Sequence, residues 1–82
     1  MTFSEVLESL KDNYLRQSPS KEVRFSRTGW NGKGQWITLQ KPEENRKMTM
    51  TLPYICISIV GGKVAPWTAS QIDLLAEDWR EV

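Results

Sequence analysis

An α+β fold, with a small antiparallel sheet of about four to five strands and two short helices, is the class this chain predicts, and three observations carry it. Two segments have the form of a helix-opening capping box followed by apolar residues at helical spacing. Several short segments either alternate polar and apolar residues or are rich in β-branched ones. Glycine-rich connections join these segments in pairs as hairpins, and no βαβ unit surrounds them.

Thr2-Phe3-Ser4-Glu5 is the first capping-box form, and Phe3, Val6, Leu7 and Leu10 follow at helical spacing. A short amphipathic helix is expected over about residues 3–12, its apolar stripe on the core. Residues 17–20 are turn chemistry, after which residues 22–27 alternate as a half-buried strand with Val23 and Phe25 inward. Residues 28–34 hold Gly29, Gly32 and Gly34 and so form a connection, beyond which residues 35–39 read as the second strand of a hairpin. Residues 41–49 are polar and aperiodic, an exposed loop. Residues 54–60 form the strongest strand, turned by Gly61-Gly62 toward Lys63, Val64 and Ala65. Thr68-Ala69-Ser70-Gln71 repeats the capping-box form, Trp67 and Ile72 stand as a hydrophobic staple, and Ile72, Leu75 and Ala76 lie at helical spacing. Residues 78–82 read as an edge strand, with a helical continuation to Trp79 as the close alternative.

At 82 residues the chain is read as a single domain over 1–82, and a domain of this size buries only about 60–65% of the surface its unfolded chain exposes. Thin cores draw on disulfides, metals or partner subunits. With one cysteine, Cys56, and no histidine, the first two have no ligand set, so self-association is expected. No stretch approaches a membrane span and the N-terminus lacks a signal-peptide pattern, which places the protein in the cytoplasm. The net charge of +1 argues against DNA, RNA or an anionic membrane as partner. That charge is uneven. Lys21, Arg24, Arg27, Lys33 and Lys41 face Glu22 alone in one stretch, while Asp73, Glu77, Asp78 and Glu81 face Arg80 alone in the last twelve residues. Two solvated faces of opposite sign are the simplest reading.

Without histidine the commonest general base is missing, and Cys56 stands mid-strand with no base to activate it, so no catalytic residue and no enzyme activity is expected. Asp73 and Glu77 share a helix face but read as solvated charges, and neither a metal nor another cofactor is called for. The loop from Gly29 to Gly34 is no P-loop, yet it offers backbone N–H groups, an indole (Trp30), an amide (Asn31) and an ammonium (Lys33), an inventory that suits a nucleotide. A tight turn with Trp30 as a lid over the core suits it equally. Four tryptophans are too many to bury fully here. Trp36 and Trp79, in or beside regular segments, fit the core or a subunit contact, whereas Trp30 and Trp67 stand in loops where a ring can stack on a base. Ser70 could turn its hydroxyl to an anion, though capping is the commoner role for it.

Phe3 in an opening helix, the block 27–34 (Arg-Thr-Gly-Trp-Asn-Gly-Lys-Gly) and the block 66–79 (Pro-Trp-Thr-Ala-Ser-Gln-Ile-Asp-Leu-Leu-Ala-Glu-Asp-Trp) together resemble the second Thoeris anti-defence family of phages. The resemblance covers nearly the whole chain, with residues 41–49 and 55–60 matching no motif of the family. It implies a phage sponge that sequesters cyclic ADP-ribose isomers made by Thoeris sensor enzymes in the host cytoplasm, without degrading them. It also implies a homo-oligomer, commonly a tetramer, with sites where protomers meet and, in some members, uptake of cyclic di- or trinucleotides of CBASS. Phe3, Trp30, Asn31, Trp67, Ser70 and Asp73 are the ligand-binding candidates that it carries onto this chain, with Arg27 and Lys33 as additions. An enzyme that hydrolyses the signal and a protein that plugs a defence effector directly are the readings from other classes.

Overall fold

A computed structural model describes residues 1–16, 22–30, 34–40, 52–59 and 61–82. The expected turn at 17–20, the loop at 41–49, Val60, and Asn31, Gly32 and Lys33 lie outside the described residues. The elements are helix α1 (Phe3–Leu15), strands β1 (Phe25–Arg27), β2 (Trp36–Gln40), β3 (Tyr54–Ile59) and β4 (Lys63–Pro66), helix α2 (Gln71–Leu75) and strand β5 (Trp79–Glu81). They give the expected α+β fold. The strands form one antiparallel sheet in the order β4-β3-β2-β1-β5, so the chain leaves one edge after β4 and returns through α2 to the other.

Helix α1 opens as its sequence requires. The Thr2 hydroxyl accepts from the Glu5 N–H, and the Glu5 carboxylate accepts from the Thr2 N–H at 2.9 Å. The helix runs a turn beyond residue 12, where its apolar pattern ends, because the Arg16 N–H still donates to the Asp12 carbonyl and the two side chains pair at 3.0 Å. Val6 and Leu10 are fully buried against Phe25, Ile37 and Trp79. Leu7, expected on this stripe, is exposed: the face is set by Val6 and Leu10, and Leu7 lies about 100° round from Val6.

Strand β1 is shorter than the expected 22–27 because side chains replace part of its ladder with β2, where the one register pair is Phe25 with Ile37. The Thr38 hydroxyl donates to the Val23 carbonyl and the Ser26 hydroxyl to the Gln35 carbonyl, each at 2.7 Å, so two buried hydroxyls stitch the seam. Phe25 is buried and Val23 packs against the core, as the alternation predicts. Gly61 and Gly62, at φ 92° and 77°, make the β3–β4 turn in the left-handed region, and the Gly62 N–H donates to Ile59. Strand β4 ends on Pro66, which has no N–H to offer a further strand.

Residues 79–81 form an edge strand on β1 rather than continuing α2. Helix α2 itself starts two residues later than Thr68 would start it. Ser70 is the N-cap, accepting from the Asp73 N–H at 3.1 Å while the Asp73 carboxylate accepts from the Ser70 N–H. The staple between Trp67 and Ile72 is absent, since Ile72 is 73% exposed and Trp67 turns instead to Phe3 and Trp79. Asp73 and Ala76, three apart, face inward and leave Ile72 and Leu75 in solvent.

Candidate functional site

The residues after β1 turn at once into a single 3-10 turn, Thr28–Trp30, and this turn is clamped to the chain between α2 and β5. The Thr28 N–H and hydroxyl both donate to the Asp78 carbonyl, at 3.2 and 3.3 Å. The Gly29 N–H donates to Asp78 Oδ2 at 2.7 Å. A side chain there would press on the clamp: a Cβ would lie 2.9 Å from Arg27 Nη2 and 3.0 Å from Asp78 Oδ2, so those two groups would have to shift.

Arg27 is the centre of the clamp. Its Nε donates to Asp78 Oδ1 and its Nη1 to Asp73 Oδ1, each at 2.8 Å, and all three side chains are at least half withdrawn from solvent. Asp73 Oδ1 also accepts from the Trp30 indole at 3.2 Å, and the Asp73 carbonyl accepts from the Trp79 indole at 3.0 Å. The expectation of two solvated faces of opposite sign is therefore wrong at this point, because one cation of the basic stretch and two carboxylates of the acidic tail are joined. Charge-assisted bonds of this kind hold geometry as well as energy.

The electrostatics follow the contacts. Hydrogen bonds donated first to Asp78 and then to Asp73 push the Arg27 guanidinium above its ordinary value. Burial works to raise the Asp73 carboxyl, but hydrogen bonds from Arg27, Ser70 and Trp30 outweigh it and hold the group below the usual carboxylate range. Asp78 is lowered by Arg27 and, against some desolvation, by the Gly29 N–H. Both carboxylates are ionised at neutral pH, so neither is available as a general acid. Among the described residues no three of His, Cys, Asp or Glu are grouped to hold a metal ion.

Beside the clamp stands an aromatic cluster. Trp79, 2% exposed, is its hub, with Phe3 at 5.5 Å, Trp30 edge-on at 5.3 Å and Trp67 edge-on at 5.9 Å between centroids. Phe3 and Trp67 meet at 5.6 Å, and Phe3, Trp30 and Trp67 are all partly open to solvent. Of the sequence-derived candidates, Phe3, Arg27, Trp30, Trp67, Ser70 and Asp73 thus belong to one end of the molecule. Ser70 caps α2 with its hydroxyl, and Asn31 and Lys33 fall outside the described residues. Trp79 takes the core place expected of it. Trp36 does not: it lies on the sheet face away from that core, with the Arg24 guanidinium 4.1 Å above its ring.

Asp78, Gly29 and Trp79 are site residues that reading by motif missed. The available signals were the charge asymmetry between residues 21–41 and 71–82 and the presence of all three in the blocks 27–34 and 66–79, and neither names partners.

The family model described as Thoeris anti-defense 2-like domain matches residues 1–82. A curated relative, Thoeris anti-defense 2 from Bacillus phage SP01, is 30% identical over 90 residues, covering 96% of this chain and 91% of the relative. The two blocks that the clamp ties together, 27–34 and 66–79, are those on which the sequence resembled the same family, and the chain belongs to the Thoeris anti-defense 2-like family of anti-defence proteins.

Proposed function

We propose that this protein is a phage sponge, which binds cyclic ADP-ribose isomers made by Thoeris sensors in the host cytoplasm and withholds them, unaltered, from the effector. The observation that carries the reading is the half-open aromatic cluster of Phe3, Trp30 and Trp67 set directly against the hydrogen-bonded clamp of Arg27, Asp73 and Asp78. Stacked rings contribute about 1–3 kcal/mol per base. Sequestration calls for nanomolar affinity, about −12 kcal/mol, which a preformed site reaches with a few such contacts. The clamp supplies the preforming. Its carboxylates are spent on Arg27, and this favours binding over hydrolysis.

The protein works as a homo-oligomer, a tetramer by likeness to its family, with protomers completing each other's sites. Ile72 and Leu75, more than two-thirds exposed on α2, are apolar surface that such contacts would cover. Cyclic di- and trinucleotides of CBASS are second ligands under the same reading.

Incubation of the protein with a cyclic ADP-ribose isomer, removal of free ligand and heat release test the proposal. Intact isomer returned in proportion to protein is the expected result. Altered isomer identifies an enzyme, and no uptake leaves a direct inhibitor of a defence protein. Light scattering at micromolar concentration is expected to give an oligomer, and a monomer mass would remove the interfacial site.

A further inference from the structure

Arg27 is the strongest cation among the described residues of the site, and the simplest assignment for it is the pyrophosphate of the ligand. Its geometry argues otherwise. Three of its N–H directions are taken by Asp73 and Asp78, at 2.8, 2.8 and 3.4 Å, and its side chain is only 14% exposed. With two ionised carboxylates on one guanidinium the clamp carries a net negative charge, which opposes the approach of a phosphate. What Arg27 does hold is the ring. It fixes Asp73, whose Oδ1 takes the Trp30 indole N–H, and it fixes the Asp78 carboxylate, which takes the Gly29 N–H just before that ring.

We propose that Arg27 is a positioning residue, not a phosphate ligand: it sets the Trp30 indole for stacking, and the anionic part of the ligand is bound away from the clamp. The inference rests on the sponge reading and names the division of labour within that site. An Arg fork is required for this role, because a lysine carries the charge without the two parallel directions that reach both carboxylates.

Two variants separate the roles, with calorimetric titration of a cyclic ADP-ribose isomer as readout. Arg27→Lys keeps the cation but not the fork, so positioning predicts a loss of tenfold or more with the Trp30 ring displaced, whereas a cation that meets phosphate only as a point charge predicts binding within about twofold of wild type; a forked phosphate contact is separated by the sign of the second variant. Asp78→Asn removes one of the two negative charges that Arg27 holds. Freed of one counter-charge, a phosphate-binding Arg27 would bind more tightly, while a positioning Arg27 that has lost its anchor binds more weakly.

The ligand-independent readout is the set of indole N–H resonances. The Trp30 signal is expected to shift and exchange faster with solvent in Arg27→Lys, with the fold retained in the other signals. Should Arg27→Lys fail to fold, Asp78→Asn decides alone by the sign of its effect. Tighter binding by Asp78→Asn, or unchanged binding by a folded Arg27→Lys, overturns the proposal. Absence of binding by the wild type overturns the sponge reading itself, and the inference with it.

Discussion

The two ends of the sheet are built differently. At the β1–β5 end, strands of three residues are held by a network in which Arg27, Gly29 and Trp30 bond to Asp73 and Asp78, and Trp79 bonds to the Asp73 carbonyl. At the β3–β4 end, a longer hairpin rests on its ladder and its glycine turn, and all four residues of β4 are exposed. Backbone pairing makes strands but is nearly indifferent to side-chain identity. Holding an aromatic ring at a set angle needs side-chain bonds, and these are concentrated where the ligand is proposed to sit.

The largest effect expected from this contrast is at the hub. Trp79→Ala should cost about 3–5 kcal/mol in urea or thermal unfolding, since the ring is buried and supports Phe3, Trp30 and Trp67. A loss near 1 kcal/mol would mean that the cluster repacks and is not a fixed scaffold.

Trp30→Ala comes next. It should remove about 1–3 kcal/mol of ligand binding, a loss of roughly 5- to 150-fold. It should also cost about 1 kcal/mol of stability, because the ring meets Trp79 and donates to Asp73. Trp36→Ala is expected to leave binding unchanged and to cost about 1–2 kcal/mol, less than a core tryptophan would, for Trp36 lies outside the core under Arg24. Titration and melting of the same samples compare the two. If the tryptophans behave alike in both measurements, the two faces of the sheet do not differ as described.

Acid should loosen the clamp end first. The Asp73 and Asp78 carboxyls are lowered in the folded state, so their stabilisation is fully present above the unfolded value of about 3.9 and is lost as pH falls through the folded values. Stability is then flat from neutrality to about pH 5 and declines below it. In Asp73→Asn that decline should be shallower, and an equally steep acid limb in the variant would place its origin elsewhere.

Ser70→Ala, which removes the cap of α2, should cost about 1 kcal/mol, within the usual range for such caps. Thr68→Ala serves as its control, being the residue whose capping role the structure does not support. The smallest effect is expected at the opposite end, where Val64→Thr on exposed β4 should change stability by no more than about 0.5 kcal/mol. A clear loss there would reveal that this edge is covered in the assembled protein.

How much of this was legible beforehand depends on the range of the interaction. The first capping box, the hairpin at Gly61-Gly62 and the inward side chains Val6, Leu10 and Phe25 are local or periodic features, and a one-dimensional reading finds them. The failures are also of one kind. Thr68 and Ser70 both have capping chemistry, and the choice between them was made by Asp73 reaching Arg27, 46 residues away. That choice turned Ile72 and Leu75 outward.

The sequence by itself determined the α+β class, the order of the elements up to the second helix, the aromatic excess and, through two blocks of residues, the family. Only the tertiary structure decided which tryptophan is the hub, which one lies on the far face, and that Arg27 is spent on two carboxylates rather than left free. The physical reason is that helix and strand patterns repeat every few residues, whereas the bonds from Arg27 close over 46 and 51 residues and come into being only when β5 docks beside β1.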